Sequence, residues 1–403
     1  MNRLAIRNLF RHRVRSLVTL AAIAFSTIVL IVAAGFIQQI FLDLRVATIE
    51  TGLGHIQITQ PEYFRRGTAD PYAFLLPSQS AAITLIEALP HVTAIGERLN
   101  FNGLISHDEA TLSFVGIGVV PGKEAIVSRN LTFLSGSNLV DEGGDEVVVG
   151  QGLAANLGIR TGDRVVLLLN TASGSVSAVE ATVRGIFSTA VRAFDEVAIR
   201  TSLSTARKLM KTKGSHAWVV ALDDEGAVDA TAERIREVVM PYKFGVERWI
   251  DLADVYTKTV TFMSGQLGVM RVMVAVIIVL GVSNMLVMNV LERTGEIGTL
   301  MALGIRRRKV VALFILESFY LGVIGGAAGL LLGVIAAKII SAIGVPMPPP
   351  PGRTVDYYGA VLVTIPILAS AFAVSLGTTL LAGIYPARKA SRLVIVDALR
   401  FNR

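Results

Sequence analysis

Residues 292–309, Glu292-Arg293-Thr294-Gly295-Glu296-Ile297-Gly298-Thr299-Leu300-Met301-Ala302-Leu303-Gly304-Ile305-Arg306-Arg307-Arg308-Lys309, form a short amphipathic segment between two uncharged runs long enough to cross a bilayer. As a helix, the segment sets Ile297, Leu300, Met301 and Gly304 at i, i+3, i+4 and i+7 on one face, with Glu292, Glu296 and Thr299 off it. Consecutive cations, Arg306 to Lys309, close it. A helix of this kind lies flat on a membrane, apolar face down, and turns its charged side toward a soluble partner.

The chain around it is 52% hydrophobic and only 17% charged, against about 25% charged for an ordinary soluble protein. A hydrocarbon core about 30 Å thick takes about 20 apolar residues in a helix. Charge-free runs of that size cover Ser16 to Leu42, Val272 to Leu291, Ser318 to Ala337 and Tyr357 to Ala387. The resulting plan is a basic N-terminus (1–16), a first span (17–40), an outer domain (41–264), a second span (265–291), the segment 292–309, a third span (310–343), an outer loop (344–356), a fourth span (357–387) and a tail (388–403).

Basic residues give the orientation. Arg3, Arg7, Arg11, Arg13 and Arg15 precede the first span, Arg293 and Arg306 to Lys309 follow the second, and Arg388, Lys389, Arg392, Arg400 and Arg403 follow the fourth. The loop between spans three and four carries Arg353 alone. By the positive-inside rule the N- and C-termini and the segment 292–309 face the cytoplasm. Residues 41–264 hold 20 Lys and Arg against 26 Asp and Glu, leaving 18 against 5 elsewhere, so the chain's net charge of +7 combines an acidic outer domain with a strongly basic membrane part. An acidic outer domain argues against nucleic acid as a partner. With no cysteine, disulfides and thiolate metal sites are excluded. The N-terminus also has the outline of a secretory signal, with Ala33-Ala34-Gly35 as a small-residue site, but its apolar run is too long for a signal core.

Within the outer domain, Phe41 to Thr51 continues the first helix to a break at Gly52-Leu53-Gly54, and His55 to Thr59 alternates as a strand. A helix over Ser78 to Leu89 has Ser78 or Ser80 as its cap, and strands follow at Val92 to Glu97, Gly103 to Ser106 and Leu112 to Ile117. The texture then changes. Strands at Glu146 to Gly150, Val165 to Leu169 and Val176 to Ile186, with a helix over Gln151 to Leu157 stopped by Gly158, read as a β-rich insertion over about 130–195. From Asp251 a helical stalk leads into the second span.

No G-x-x-x-x-G-K-[ST] is present, since Gly122-Lys123 lacks the upstream glycine, so the chain does not bind ATP through a P-loop. The histidines His12, His55, His91, His107 and His216 have no zinc-ligand spacing, and His107-Asp108-Glu109 reads as a polar turn. Glu317 and Lys338 bracket the third span and are placed at its interfaces, where long side chains snorkel. Ser283, Asn284 and Asn289 in the second span read as helix–helix glue. Gly325, Gly329 and Gly333 recur every four residues in the third span and allow close helix approach, either to another subunit or to spans two or four of the same chain. Pro366 is a candidate kink in the fourth span.

Taken together, the basic Ala5-Ile6-Arg7-Asn8-Leu9-Phe10-Arg11-His12-Arg13, the Glu292-Arg293-Thr294-Gly295-Glu296-Ile297-Gly298 to Ala302-Leu303-Gly304 segment, the Gly-rich third span and the tail Tyr385-Pro386-Ala387-Arg388-Lys389-Ala390 resemble the MacB/FtsX-type ABC transporter permeases over essentially the whole chain. Gly54-His55-Ile56-Gln57-Ile58 is most similar to the LolC/LolE-like lipoprotein-releasing branch. The resemblance implies a multi-pass protein of the bacterial plasma membrane, with four transmembrane helices and a large α+β extracytoplasmic domain, porter-like with the β-rich insertion. It implies a coupling helix over 292–309, with Glu292, Arg293, Glu296, Ile297, Leu300, Met301, Leu303, Gly304 and Arg306 facing a separate ABC ATPase subunit. That subunit, and not this chain, would bind ATP and Mg. The implied assembly pairs two permeases, as a homodimer or with a paralogue, and the glycine row is the candidate interface between them. The implied mechanism is mechanotransmission serving a lipoprotein or an amphipathic substrate. The alternatives are an FtsX-like regulator of a cell-wall hydrolase or sensor, or an efflux permease with a periplasmic adaptor. A fused ATPase domain of the MacB kind is not part of the sequence, so the ATPase is expected as a separate chain.

Overall fold

The computed structural model describes residues 13–67, 70–129, 131–141, 144–189, 192–347 and 357–394. The basic cluster up to His12, Arg353 with Pro348 to Pro351, and Arg400 and Arg403 lie outside the described residues. Two compact units are present, one helical and one built on a β-sheet.

Helix α1, Arg13–Thr48, runs without interruption and passes into a π-helical turn, Ile49–Leu53. Gly54 ends it at φ +64, a conformation that suits glycine, and a side chain there would collide with Val219. The sheet unit follows. Its strands are β1 Ile56–Thr59, β2 Val92–His107, β3 Ala110–Val119, β4 Thr132–Gly136, β5 Glu146–Gly150, β6 Arg164–Asn170, β7 Val176–Ser188, β8 Ala198–Ser202, β9 Ala217–Leu222 and β10 Gly245–Arg248. They share one sheet in the order β10-β1-β9-β2-β3-β8-β5-β7-β4, with β6 paired to β2 and β7. Between them lie helices α2 Ala81–Glu87, α3 Pro121–Val127, α4 Gln151–Leu157, α5 Leu203–Met210 and α6 Val228–Val239.

Several strands depart from their sequence pattern for physical reasons. The alternation at 55–59 marks no solvent face, because β1 lies inside the sheet between β10 and β9 and all four of its residues are buried. The three short strands expected over 92–117 are two long ones. Asn100 and Asn102 do not break β2, because they stay paired with Ile117 and Val115 of β3 while β2 changes its other neighbour from β9 to β6. Gly103 sits at that change of partner, where a Cβ would collide with the carbonyl oxygen of Leu168. The texture change near 130 does not open a separate sheet either, since β5 pairs with β8 and β6 with β2. It marks a second core. Val147, Leu153, Val165, Leu167 and Val183 pack with Leu99 and α5, while Ile56, Ile58, Trp218, Ala232 and Ile235 form the core under α2 and α6. Ser80 caps α2, its Oγ accepting from the Ala82 N–H at 3.2 Å, and Gly158 stops α4 at φ +67.

In the helical unit, α1 is joined by α7 Asp254–Glu292, α8 Thr294–Ala302, α9 Arg307–Ile343 and α10 Ile365–Ser391. Of these, α1, α7, α9 and α10 are long and apolar enough to cross a membrane. The charge-free run of the fourth span starts at Tyr357, but α10 begins at Ile365. Pro366 stands in its first turn, where its missing N–H costs nothing, and so it starts the helix and does not kink it. Ile23, Ile31, Ile278, Leu286, Leu321 and Ala382 fill the space between the four long helices.

Candidate functional site

The segment 292–309 is not one helix. Thr294 opens α8 by donating its hydroxyl to the carbonyls of Val290 and Leu291 (3.0 and 2.9 Å). Gly304, at φ +88, closes it: the Gly304 N–H reaches the Met301 carbonyl and the Ile305 N–H reaches that of Leu300, both at 3.1 Å, which is a Schellman ending. Arg307 to Lys309 already belong to α9.

The apolar side of α8 faces protein and not lipid. Ile297 and Met301 are buried against Val290, Val310, Phe314, Ala387 and Ala390, so α8 is seated on the ends of α7, α9 and α10. Leu300 is half-buried, Glu296, Gly304 and Arg306 are exposed, and Leu303 is 78% exposed. The side of α8 and its turn turned away from the other helices therefore carries Glu296, Thr299, Leu300, Leu303 and Arg306.

Charged residues fasten this platform. Arg15 of α1 grips Glu292 through both guanidinium nitrogens (2.7 and 2.9 Å) and reaches Asn289 Oδ1 at 3.3 Å. Arg293 joins Glu296 and, at 3.2 Å, Glu317 of α9. Glu317 is thus not at an interface in the snorkelling position read from the sequence. It is buried three turns into α9, where burial demands the partner that Arg293 supplies. Lys338 is exposed.

The glycine row also has a definite neighbour. A Cβ at Gly325, Gly329 or Gly333 would meet Ile23 (2.9 Å), Thr27 (2.5 Å) or Ile31 (2.6 Å), so the row is filled by α1 of the same chain and offers no face to a second subunit or to spans two or four. The offset glycines Gly322 and Gly326 receive α10 through Leu376 and Phe372. Ser283 donates to the Ala382 carbonyl at 2.8 Å, which ties α7 to α10.

The sheet unit contains a charged cluster that no motif announced. Glu124 of α3 accepts from Arg98 of β2 (2.7 and 3.1 Å), from Arg200 of β8 (3.1 Å) and from Ser128 (2.6 Å), all of them buried. The same two arginines hold the π turn after α1: Arg200 donates to the Thr51 carbonyl at 2.7 Å and Arg98 to that of Gly52. Burial opposes the charge on Glu124, but the two guanidinium groups and the hydrogen bonds overcome it and hold the carboxyl below its ordinary value. Burial, offset in part by Glu124, lowers Arg200 to about 10. An arginine between buried strand residues, as in Ala198-Ile199-Arg200, is the one sequence signal for such a cluster, because a buried charge must be paired.

His107 ends β2 with its ring near the Leu157 carbonyl (3.2 Å) and Asp163, next to the exposed turn residues Asp108 and Glu109. Among the described residues no group of three or more His, Asp or Glu is placed to hold a metal. Gly54-His55-Ile56-Gln57-Ile58 is explained by local packing: Gly54 turns the chain, His55 Nδ1 accepts the Leu222 N–H, and Gln57 donates to the Leu53 carbonyl.

Residues 16–238 match the MacB-like periplasmic core domain and residues 268–395 the FtsX-like permease C-terminal domain. An ABC transporter permease of Methanocaldococcus jannaschii is 30% identical over 212 residues, 51% of each chain. The macrolide export ATP-binding/permease protein MacB of Sodalis glossinidius is 25% identical over 98% of this chain and 60% of its own length. The pyoverdine export ATP-binding/permease protein PvdT of Pseudomonas syringae pv. syringae is 32% identical over 49% of this chain and 28% of its own. The chain therefore spans about half the length, or less, of most of these relatives. The periplasmic region of MacB from Actinobacillus actinomycetemcomitans aligns with a TM-score of 0.39 at 12% identity, over 52% of this chain and 94% of that one. With one family matched across more than half of the sequence and the other across the helices that follow, the chain belongs to the MacB/FtsX-type ABC transporter permeases.

Proposed function

We propose that this chain is the permease subunit of an ABC transporter and couples ATP hydrolysis by an ABC ATPase subunit, which carries ATP and Mg, to movement of its extracytoplasmic sheet unit. The observation that carries this reading is the fastening of α8. Its outer side is turned away from the other helices, while Arg15–Glu292 and Arg293–Glu317 tie its base to α1 and α9. A push on α8 is thereby delivered to membrane helices and is not dissipated in a loose loop. The clamp of Arg98 and Arg200 on Thr51 and Gly52 serves the same purpose where α1 ends.

In this reading the basic side faces the cytoplasm of a plasma membrane, and the ATPase meets Glu296, Thr299, Leu300, Leu303 and Arg306. The substrate is amphipathic. The names of the MacB and PvdT relatives, exporters of macrolide and pyoverdine, favour export over lipoprotein release. The test is co-purification of the chain with its ATPase. Leu303→Asp, at an exposed position, abolishes it and leaves the permease in the membrane; ATPase binding that survives both Leu303→Asp and Leu300→Asp rejects the docking assignment.

A further inference from the structure

Residues 41–264 carry 20 Lys and Arg against 26 Asp and Glu, yet four of those cations fall within seven consecutive residues at the end of α5, Arg207-Lys208-Leu209-Met210-Lys211-Thr212-Lys213. Leu209 and Met210 are buried, and the four charged residues line a cavity of about 590 Å³. Thr212 and the 78–79 segment complete its wall. None of the described residues lining it is apolar or acidic.

Arg207 and Lys208 already have partners. Arg207 donates to Glu97 (2.7 Å) and to the Gly214 carbonyl (3.1 Å), and Lys208 pairs with Asp145 (2.6 Å). Lys211 and Lys213 are exposed and, among the described residues, neither ammonium has a hydrogen bond or an ion pair. Set against the carboxylates of Glu97 and Asp145, the cluster therefore keeps the positive charges of Lys211 and Lys213 in excess. Service to the C-terminus of α5 does not account for them. The Lys211 and Thr212 N–H groups close that helix on the Arg207 carbonyl, and Lys213 stands beyond the last turn, where the dipole effect has faded. Lys211 also sits at φ +54, a left-handed conformation in which glycine is less strained.

We propose that this cavity binds a compact, multiply charged phosphate group, a phosphate ester or a pyrophosphate. A phosphoryl group presents several strong acceptor oxygens, and every side chain of the wall can donate to them: guanidinium, ammonium, carboxamide and hydroxyl. Thr212 Oγ1 accepts from the Gly214 N–H at 3.4 Å, which leaves its O–H for a ligand. An acidic peptide fits less well, because peptide recognition uses a sheet edge or pockets for apolar side chains, and no strand or apolar residue lines this cavity. A phosphate on a lipid headgroup and a free phosphorylated solute share the chemistry that the wall recognises.

Calorimetric titration of the full chain in detergent with pyrophosphate tests this. Lys211→Gly and Lys213→Gln each weaken binding about tenfold, the effect of losing one hydrogen bond between charged groups, and added salt weakens it further. Glycine relieves the strain at position 211, so Lys211→Gly is not a folding lesion. Lys243→Gly is its control: Lys243 is also exposed and at positive φ, +57, but lies outside the cavity, and its loss leaves binding unchanged. Vesicles containing phosphatidic acid that compete with pyrophosphate assign the site to a headgroup, and vesicles that do not compete assign it to a soluble phosphate; both uphold the anion site. Three results overturn the proposal: no binding of pyrophosphate by the folded chain at low salt, a loss from Lys211→Gly no greater than that from Lys243→Gly, or tetraglutamate binding as tightly as pyrophosphate. The titration contains neither ATP nor ATPase, so its failure leaves the docking assignment at Leu303 standing.

Discussion

Arg293 and Glu317 form an ion pair inside the helical unit, Nη1 to Oε1 at 3.2 Å, with the Glu317 side chain only 4% exposed. It lies directly beneath the segment proposed to receive the ATPase. A buried pair adds little over a well-packed apolar pair, but removing one partner strands the other charge at a cost of about 3–5 kcal/mol. Glu296 still pairs with Arg293, so Glu317→Gln is expected near the lower end, about 3 kcal/mol. Thermal unfolding of the detergent-purified chain, followed by circular dichroism, measures it. The exchanged pair, Arg293→Glu with Glu317→Arg, should be more stable than either reversal alone; if it is no better, the contact is incidental.

Gly329 gives a second measurement. A methyl group there would press on Thr27 and on the Ala24 carbonyl at 2.5 and 2.8 Å, whereas nothing lies within 4 Å of one at Gly377. Gly329→Ala should lower stability by about 1–3 kcal/mol through overpacking. Gly377→Ala should be neutral, or stabilising by up to about 1 kcal/mol from helix propensity. Equal effects would mean that α1 does not pack on the row.

These two sites show where a sequence can and cannot be read. The long helices were legible because each is a run of apolar residues bounded by charge, and a bilayer admits few other readings. Gly158 and Ser80 were legible because stops and caps act within a turn. The purpose of Gly325, Gly329 and Gly333 was legible as close packing, but their neighbour was not: α1 stands about 300 residues earlier in the chain and shows no complementary pattern. Glu317 was misplaced for the same reason. Its position near a span end suggested snorkelling, and only the fold brings Arg293 to it. In α8 the periodicity identified the apolar face while leaving open what covers it, and protein does so at Met301. Met301→Asp is therefore a folding lesion, and Leu303 is the residue to change in a docking experiment.

Glu124 ties folding to pH. Because Arg98 and Arg200 hold its carboxyl below the ordinary value, the folded chain binds fewer protons there than the unfolded chain. The stability it supplies is fully present above the unfolded carboxyl value of about 4.3, and is lost as pH falls through the lower folded value. Glu124→Gln should cost about 3–5 kcal/mol at neutral pH by leaving two buried guanidinium groups without their carboxylate. It should also flatten the acid limb of the stability curve. Both are read from the fluorescence of Trp218 and Trp249, the two tryptophans of the chain, which are buried in the sheet unit. An unchanged acid limb would show that Glu124 is not the group titrating.

His216 acts in the next window up. Its ring is buried and stacked on Tyr63 with centroids 5.2 Å apart; Nδ1 accepts the Asn100 N–H at 3.0 Å, so Nε2 carries the proton given to the Pro71 carbonyl at 2.6 Å. Burial lowers its pKa from 6.5, more than the Pro71 carbonyl raises it. A folded value below the unfolded one means the neutral ring stabilises the fold above pH 6.5, and that contribution is lost as pH falls toward the folded value. His216→Gln should be less stable than the parent at pH 8 yet lose less on acidification from 6.5. The slope does not vanish, because burial also holds His55 below its ordinary value, with Nδ1 accepting the Leu222 N–H. A double variant that also carries His55→Gln should remove most of the remainder. If the parent shows no loss of stability below pH 6.5, the Nε2–H assignment of His216 fails, because an acceptor Nδ1 cannot take a proton without giving up the Asn100 N–H that it holds on β2.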